Sequence, residues 1–311
     1  MSTVDLPDRR DGVGALLREW RERRRLSQLE LDARGVVSAR HLSAVETGRS
    51  RPTPRMILHL SEHLDVPLRE RNRLLLAGGY APAYAESELD APPMAAVHEA
   101  IEHVLKAHRP NPALVIDRRW ELVAANPSLA PLIDGVAPEL LEPPVNVLRL
   151  SLHPDGLAPR IVNLAEWRDH LVGRLARSVE TSGDADIAVL VAELRELCPD
   201  IGEDAAAGAG GRGRDRASGR GGRPGGGGGP GRGGGPDGVD GRREAYERPP
   251  HRQAVVVPLV LRHGDAELRL LSTTTVFGTP QDVTVAELAI ETFFPGDAET
   301  ARRLAALDPG D

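Results

Sequence analysis

The sequence predicts an all-α N-terminal domain of five helices, followed by an α+β domain that a Gly/Arg/Pro-rich tract interrupts. Three patterns predict this organisation. Apolar residues recur every three or four positions in the first eighty residues, which is the spacing of amphipathic helices. Farther on, short strand-like segments precede and follow two helical segments, which indicates a small antiparallel sheet backed by helices. The tract between them has too little apolar surface to offset the entropy cost of ordering, so we expect it to be disordered.

Composition and charge indicate a two-domain chain in which only the N-terminal part is basic. The chain has 311 residues and a net charge of −7, yet residues 1–80 hold fifteen Arg against eleven acidic residues. Cys198 is the only cysteine, so no intrachain disulfide can form and a cytoplasmic location is expected. The N-terminus does not resemble a signal peptide, and no run of eighteen apolar residues predicts a membrane span.

Changes in composition place the domain boundaries. Residues 12–80 form the helical domain, and residues 81–93, rich in Pro, Ala and acids, form a linker. The α+β domain comprises residues 94–201 and 244–307, and residues 202–243 are the disordered insertion. We interpret this insertion as inert, although its Arg-Gly repeats could also contact nucleic acid nonspecifically.

Two short helices joined by a turn are predicted at the centre of the first domain. Ser27 is a good N-cap with Glu30 three places on, the capping-box pattern, and Leu29 and Leu31 are expected to be buried. Gly35 then breaks the chain. A helix precedes this pair, with apolar Val13, Leu16, Leu17 and Trp20 on one face and a polar side that carries Arg18, Arg21, Arg23, Arg24 and Arg25. Two helices follow it, beginning at Pro54 and Pro67.

The second of the two short helices has the character of a DNA-reading helix. It begins after Ser38, a second N-cap, and ends at Gly48, with Leu42 and Val45 facing inward. The side chains left outward near its N-terminus are small or form hydrogen bonds: Ser38, Ala39, Arg40, His41 and Ser43. Such residues fit a major groove, and Arg40 could bind guanine in a bidentate manner. Phosphate contacts are expected from Gln28, Arg49, Arg51 and Arg55.

The segment resembles the helix-turn-helix of the Cro and phage-repressor type, the XRE family. The resemblance rests on Gln28, Leu31, Leu42, Val45 and the closing Glu46-Thr47-Gly48-Arg49. It implies sequence-specific binding to a double-stranded DNA operator, and a two-fold operator implies a homodimer. Two positions depart from the family, since Asp32 and Val36 stand where Ala and Gly are usual. Either the turn is re-registered around Gly35, or the module is less stable than its relatives.

Secondary structure in the second domain follows from shorter patterns. A helix is expected with Met94, Val97, Ile101 and Val104 on one face, then strands at 114–116 and 121–124. Two helices follow, with apolar stripes that comprise Leu164, Trp167, Leu171 and Leu175 in the first and Ile187, Leu190, Leu194 and Leu197 in the second. After the tract, a hairpin through Gly264 and a strand over residues 282–294 complete the prediction.

Most of residues 110–307, the tract excepted, resembles the C-terminal domain of MmyB-like transcription regulators. The segments that carry the resemblance are ALVIDRRWELVAANPSL, PPVNVLRLSLHPDGLAPRIVNLAEWRDHL and LRLLSTTTVFGTPQDVTVAELAIETFFP. The resemblance implies a PAS-like domain with an apolar cavity for a small lipid-like or other hydrophobic effector. Asn126, Asn146, Arg149 and Trp167 match recurring positions of the family and are candidates to line the cavity. Alternatively, both Asn cap turns, Arg149 pairs with an acid and Trp167 belongs to the core.

Sequence motifs that would indicate an enzyme are weak. Gly208, Gly210 and Gly213 spell G-x-G-x-x-G without a preceding strand or a following helix, so no dinucleotide is expected. Cys198 is interpreted as a small buried hydrophobe, and His59 with His63 is one pair without the glutamate of a zinc motif. We therefore predict no enzyme, no cofactor and no metal, and a regulator whose second domain sets DNA affinity. The alternative is a ligand- or protein-binding module whose helix-turn-helix no longer binds DNA, because of Asp32 and Val36.

Overall fold

A computed structural model of the chain describes residues 12–197 and 256–308. Cys198 and the predicted disordered insertion 202–243 lie outside the described residues. The described residues belong to a single compact unit. Within these two ranges, no helix has the length and apolar character needed to cross a bilayer.

The first domain contains the five predicted helices. They are α1 (Val13–Arg23), α2 (Gln28–Ala33), α3 (Ala39–Glu46), α4 (Pro54–His63) and α5 (Leu68–Ala77). Their apolar stripes meet in one core, in which Leu17, Leu31 and Leu60 are almost completely buried. Ser27 and Ser38, the predicted caps, each accept a hydrogen bond at a helix start, so the sequence signals and the structure agree here, and Thr53 caps α4 in the same way.

Two expectations for this domain were wrong. Leu29 is 72% exposed, because residues two apart lie on different faces of a helix and Leu31 takes the inner face. Arg21, expected on the polar side of α1, is only 8% exposed. Its guanidinium is paired with Glu46, so burial leaves no charge without a partner.

The second domain is built on a five-stranded antiparallel sheet with the order β2-β1-β5-β4-β3. Its strands are β1 (Ala113–Ile116), β2 (Leu122–Ala125), β3 (Leu259–His263), β4 (Ala266–Val276) and β5 (Ala289–Pro295). Val115 on β1 pairs with Ile290 on β5, so strands from both sides of the tract share one sheet. The predicted α+β class with an antiparallel sheet is confirmed.

Helices cover this sheet. They are α6 (Ala95–Ala107), α7 (Val147–Leu152), α8 (Leu164–Ser182), α9 (Ala185–Leu197), α10 (Val283–Glu287) and α11 (Ala298–Leu307). Ile101 and Leu105 of α6 pack on Val115, whereas α7, α8 and α9 pack in a second cluster that includes Leu261 and Leu268. β1 is therefore buried along its whole length.

The segment 282–294 is not one strand, as the sequence pattern suggested. Val283–Glu287 is helical, and β5 begins only at Ala289. The Asp282 side chain accepts a hydrogen bond from the backbone N–H of Thr284, which caps α10. This local bond outweighs the β-branched composition of the segment.

The residues predicted as a linker are bonded to both domains. The Asn72 side chain on α5 accepts hydrogen bonds from the N–H groups of Ala83 and Tyr84 at 2.9 and 3.1 Å. Ser87 N–H donates to Asp282 at 3.1 Å, beside α10. The connection from α5 to α10 is therefore held by specific bonds.

Candidate functional sites

The turn between α2 and α3 is built around Gly35. This residue has φ +71°, the left-handed conformation that glycine adopts without strain, whereas Val36 has no positive φ. The Asp32 carboxylate accepts a hydrogen bond from Ala39 N–H at 3.0 Å, at the start of α3. The turn is thus re-registered around Gly35, and Asp32 acts as an additional cap.

The N-terminal half of α3 presents polar groups on an apolar base. Leu42 and Val45 are 2% and 1% exposed and anchor the helix in the core. On the opposite side lie the residues predicted to face DNA, which we call the recognition surface: Ser38, Ala39, Arg40, His41 and Ser43. Ser38, Arg40 and His41 are exposed, and Ala39 and Ser43 are half-buried. Arg40 forms no hydrogen bond or ion pair with another described residue, so its donors are open to solvent.

Gln28 lies beside this surface but is already bonded. Its side-chain amide donates to Glu46 at 2.7 Å, and Arg21 binds both oxygens of the same carboxylate at 2.7 and 2.9 Å. The hydrogen bond to Glu46 raises the pKa of Arg21, so the Arg21 guanidinium stays charged. These bonds fix α1, α2 and α3 to one another.

The arginines after α3 have different environments. Arg49 is exposed and donates to the Thr47 hydroxyl at 3.0 Å, and Arg55 is exposed on α4. Arg51 donates to the Gly78 carbonyl at 2.7 Å, and its guanidinium lies over the Tyr80 ring. Arg51 therefore stabilises the end of α5, whereas Arg49 and Arg55 are open to an outside anion.

The second domain encloses an apolar cavity of about 310 Å³ between the sheet and helices α7 and α8. Its volume is within the range of small-molecule sites. The apolar walls include Leu122, Leu132, Ile133, Val147, Leu171 and Phe293. Apart from the two indole N–H groups, the polar side chains of the lining are Ser151, Arg174, Ser272 and Glu291.

Arg174 and Glu291 form an ion pair in the cavity wall. The Glu291 side chain is only 6% exposed, and one of its oxygens accepts bonds from Arg174 and from the Thr274 hydroxyl. The Arg174 guanidinium also lies 4.6 Å from the centre of the Trp120 ring. A positive and a negative charge are therefore balanced within the wall.

The four residues predicted to line the cavity have separate positions. Trp167 lines it, and its indole N–H donates to Ser151 at 3.1 Å. Asn126 is buried outside the cavity, where its amide bonds the backbone at residues 105, 111 and 113. Asn146 caps α7, and Arg149 pairs with Glu193 on the outer side of α9. The cap at Asn146 and the ion pair of Arg149 match the alternative interpretation, whereas Asn126 joins three backbone segments and does not cap a turn.

Sequence reasoning missed Trp120, Arg174 and Glu291 as cavity residues. Glu291 lies within the apolar strand β5, and a carboxylate there was the one available signal. Its partner is 117 residues away in the chain, so the pair could not be recognised before the fold was known.

Ion pairs connect α5 of the first domain with the second domain. Arg69 binds both oxygens of Glu287 at 2.7 and 2.8 Å and also contacts Glu86 at 2.7 Å. Arg118 contacts Glu287 at 3.8 Å and Asp184 at 2.6 Å. We call these five residues the junction. The hydrogen bond from Arg69 to Glu287 raises the pKa of Arg69, so Arg69 keeps its charge.

Two residues of the junction are close in sequence to residues that line the cavity. Arg118 precedes Trp120 by two residues, and Glu287 precedes Glu291 by four. A second contact is made by Arg24, the residue that follows α1, which donates to the Thr181 carbonyl at the end of α8 at 2.8 Å. Helix α8 also carries Trp167 and Arg174 of the cavity wall.

His59 and His63 contact each other edge to face, with ring centres 4.7 Å apart. In the part of the chain that the structure describes, no group of three or more His, Cys, Asp or Glu side chains is arranged to hold a metal ion.

Comparison with known families agrees with both domains. Residues 17–71 match a helix-turn-helix family, and residues 97–218 match the MmyB-like transcription regulator ligand binding domain. The second match ends before β3, so strands β3 to β5 lie outside it. No curated protein matches the chain. With an XRE-like helix-turn-helix and an MmyB-like domain in this order, the protein is a DNA-binding transcription regulator with a ligand-binding domain.

Proposed function

We propose that the recognition surface binds a specific DNA sequence in the major groove. The observation that carries this proposal is the polar half of α3, exposed above a buried apolar anchor. Arg40 would bind a guanine through two hydrogen bonds, and Ser38, Ala39, His41 and Ser43 would contact neighbouring base edges. Arg49 and Arg55 would bind phosphates, and Gln28 could do so only if its bond to Glu46 rearranges.

A homodimer on a two-fold operator is part of the proposal. One helix-turn-helix contacts only a half-site, and two half-sites one helical turn apart bring two copies together. The expected operator is a palindrome, and the expected species in solution is a dimer of this chain, acting in the cytoplasm.

The second domain, for which we propose a PAS-like fold, would bind a small hydrophobic effector in its cavity. The supporting features are the volume of about 310 Å³ and the almost wholly apolar walls. Trp167, Trp120 and Phe293 offer flat surfaces to such a molecule.

The effector would set DNA affinity by binding two conformations of the protein unequally. The junction is the contact through which the domains would affect each other. Glu287 at the end of α10 bonds to α5, and β5 continues from there to Glu291 in the cavity wall.

The test is a selection of genomic DNA fragments by the purified protein at about 150 mM salt, with and without a lipid extract. A palindromic consensus is expected, and its affinity should change with the extract. If folded protein recovers no consensus, the recognition surface does not read DNA.

The alternative is a helix-turn-helix that docks a protein. Asp32 and Val36, which motivated it, no longer argue for it, because Asp32 caps α3 and the left-handed position of the turn is occupied by Gly35. The exposed Leu29 remains the observation in its favour. A selection without consensus, together with a bound protein whose capture is lost in Leu29→Ser, would support this alternative.

A further inference from the structure

The charge balance in the cavity wall restricts the chemistry of the effector. Arg174 and Glu291 are the charged groups among the described lining residues, and they neutralise each other. We propose that the cavity selects an amphiphile whose polar end is uncharged and forms hydrogen bonds, as in an alcohol, a ketone or an amide. This inference rests on the proposed binding of an effector in the cavity.

The geometry shows where the polar end would lie. Trp120, Arg174, Ser272 and Glu291 are on one side of the lining, on β4, β5, α8 and the turn before β2, whereas the rest of the wall is mostly apolar. A guanidinium has five N–H donors, and the bonds to Glu291 and Thr274 both come from Nη2. Donors on Arg174 therefore remain for a carbonyl or hydroxyl oxygen.

A charged end would disturb the pair. A carboxylate at Arg174 would bring a second negative charge close to Glu291, whose side chain is only 6% exposed. Like charges in a poorly solvated place repel strongly, and a buried charge without a full partner is costly. An ammonium group would meet the same repulsion from Arg174. A neutral hydrogen-bonding group leaves the pair intact.

The cavity volume of about 310 Å³ lies near the lower end of the range of small-molecule sites, so short-chain amphiphiles are suitable probes. Three probes of this size differ only in the polar end: 1-octanol, octanoate and octylammonium. Binding can be followed by tryptophan fluorescence, because Trp120 and Trp167 line the cavity, and by calorimetry.

Because an alcohol partitions into any apolar site better than an ion, the decisive quantity is a change of preference in variants. The wild-type protein should bind octanol more tightly than either ion. Glu291→Gln removes the competing anion while keeping hydrogen bonding, so the octanoate-to-octanol ratio of affinities should rise about tenfold. Arg174→Gln should raise the octylammonium-to-octanol ratio in the same way.

Glu193→Gln is the matched control, because Glu193 pairs with Arg149 on the outer side of α9 and does not line the cavity. It should leave all three affinities unchanged. Thermal melting of each variant establishes that it is folded, and the wild-type comparison does not depend on any variant.

The outcomes separate this inference from the proposed function. The proposal of an uncharged polar end would be overturned if octanoate bound the wild type more tightly than octanol, or if the preference were unchanged in folded Glu291→Gln. Either result would leave the proposal of a hydrophobic effector standing. If none of the three probes binds the wild type, the proposal that the cavity binds a hydrophobic effector fails as well. DNA selection is measured independently and tests the recognition surface alone.

Discussion

At the scale of single residues, the most specific prediction about DNA recognition concerns Arg40. Its side chain is exposed on the recognition surface and has no partner among the described residues. If it binds a guanine, Arg40→Ala should weaken binding by about 1 to 3 kcal/mol and relax specificity at one base position. Competition binding against a panel of single-base operator variants measures both effects.

Arg49→Ala is the control for this experiment. Because a phosphate contact is independent of sequence, its loss should weaken binding to every sequence and reduce the salt dependence. The same uniform loss in Arg40→Ala would assign Arg40 to the DNA backbone instead.

The environment of Glu70 predicts how the stability of the protein changes with pH. Burial raises the pKa of this carboxyl, so the folded state disfavours its charged form. The contribution of Glu70 is then most favourable below its unfolded pKa of about 4.3 and is lost as the pH rises through the higher folded pKa. Glu70→Gln should therefore stabilise the protein at pH 7, and this gain should disappear below about pH 4.

Urea unfolding across this pH range measures the difference between wild type and Glu70→Gln. The control is Glu62→Gln, since Glu62 is exposed on α4 and should show little change. A loss of stability at pH 7 in Glu70→Gln would mean that the ionised carboxylate, through Arg73, stabilises the fold.

At the scale of elements, the turn between α2 and α3 depends on one glycine. Gly35 has φ +71°, and a Cβ there would meet no neighbouring atom, so backbone conformation alone sets the cost of substitution. Gly35→Ala should lower the free energy of unfolding by about 1 kcal/mol. Chemical denaturation of the full chain measures this loss.

Gly12 is the matched control for this turn. It also has open space around its Cβ position but has φ −58°, which alanine adopts readily. Gly12→Ala should leave stability unchanged or raise it slightly. Equal effects of the two substitutions would show that the left-handed conformation at Gly35 is not the cause.

Helix α10 illustrates a limit of sequence patterns at this scale. The segment DVTVAELAIETFF is rich in residues that favour strands, yet its first half is helical. Asp282 caps the helix and also accepts a hydrogen bond from Ser87. The second bond comes from 195 residues away, and such a partner cannot be recognised from the local pattern.

At the scale of the whole molecule, the junction is expected to transmit effector binding to the DNA-binding domain. Arg69→Ala removes both of its bonds to Glu287 but touches neither the recognition surface nor the cavity. DNA affinity without effector should stay within about twofold, whereas the change caused by the lipid extract should fall about fivefold or more.

Arg73→Ala is the control on the same helix, because Arg73 is exposed and its one ion pair among the described residues is with Glu70, at 3.6 Å. Operator binding is measured for both variants with and without the extract. An undiminished response in Arg69→Ala would remove the junction as the path of coupling and leave the contact of Arg24 with α8 as the next to test.

Local information in the sequence determined the helix-turn-helix. Its caps at Ser27 and Ser38, its apolar spacing and Gly35 are interactions between residues a few positions apart, and the structure contains them. Hairpin strands and the α+β class were likewise predicted.

Tertiary structure alone decided which polar residues face the cavity. Arg174 and Glu291 are far apart in the chain, and burial made Arg21 and Gln28 partners of Glu46. A buried charge needs a partner, and only the packed chain brings that partner within reach.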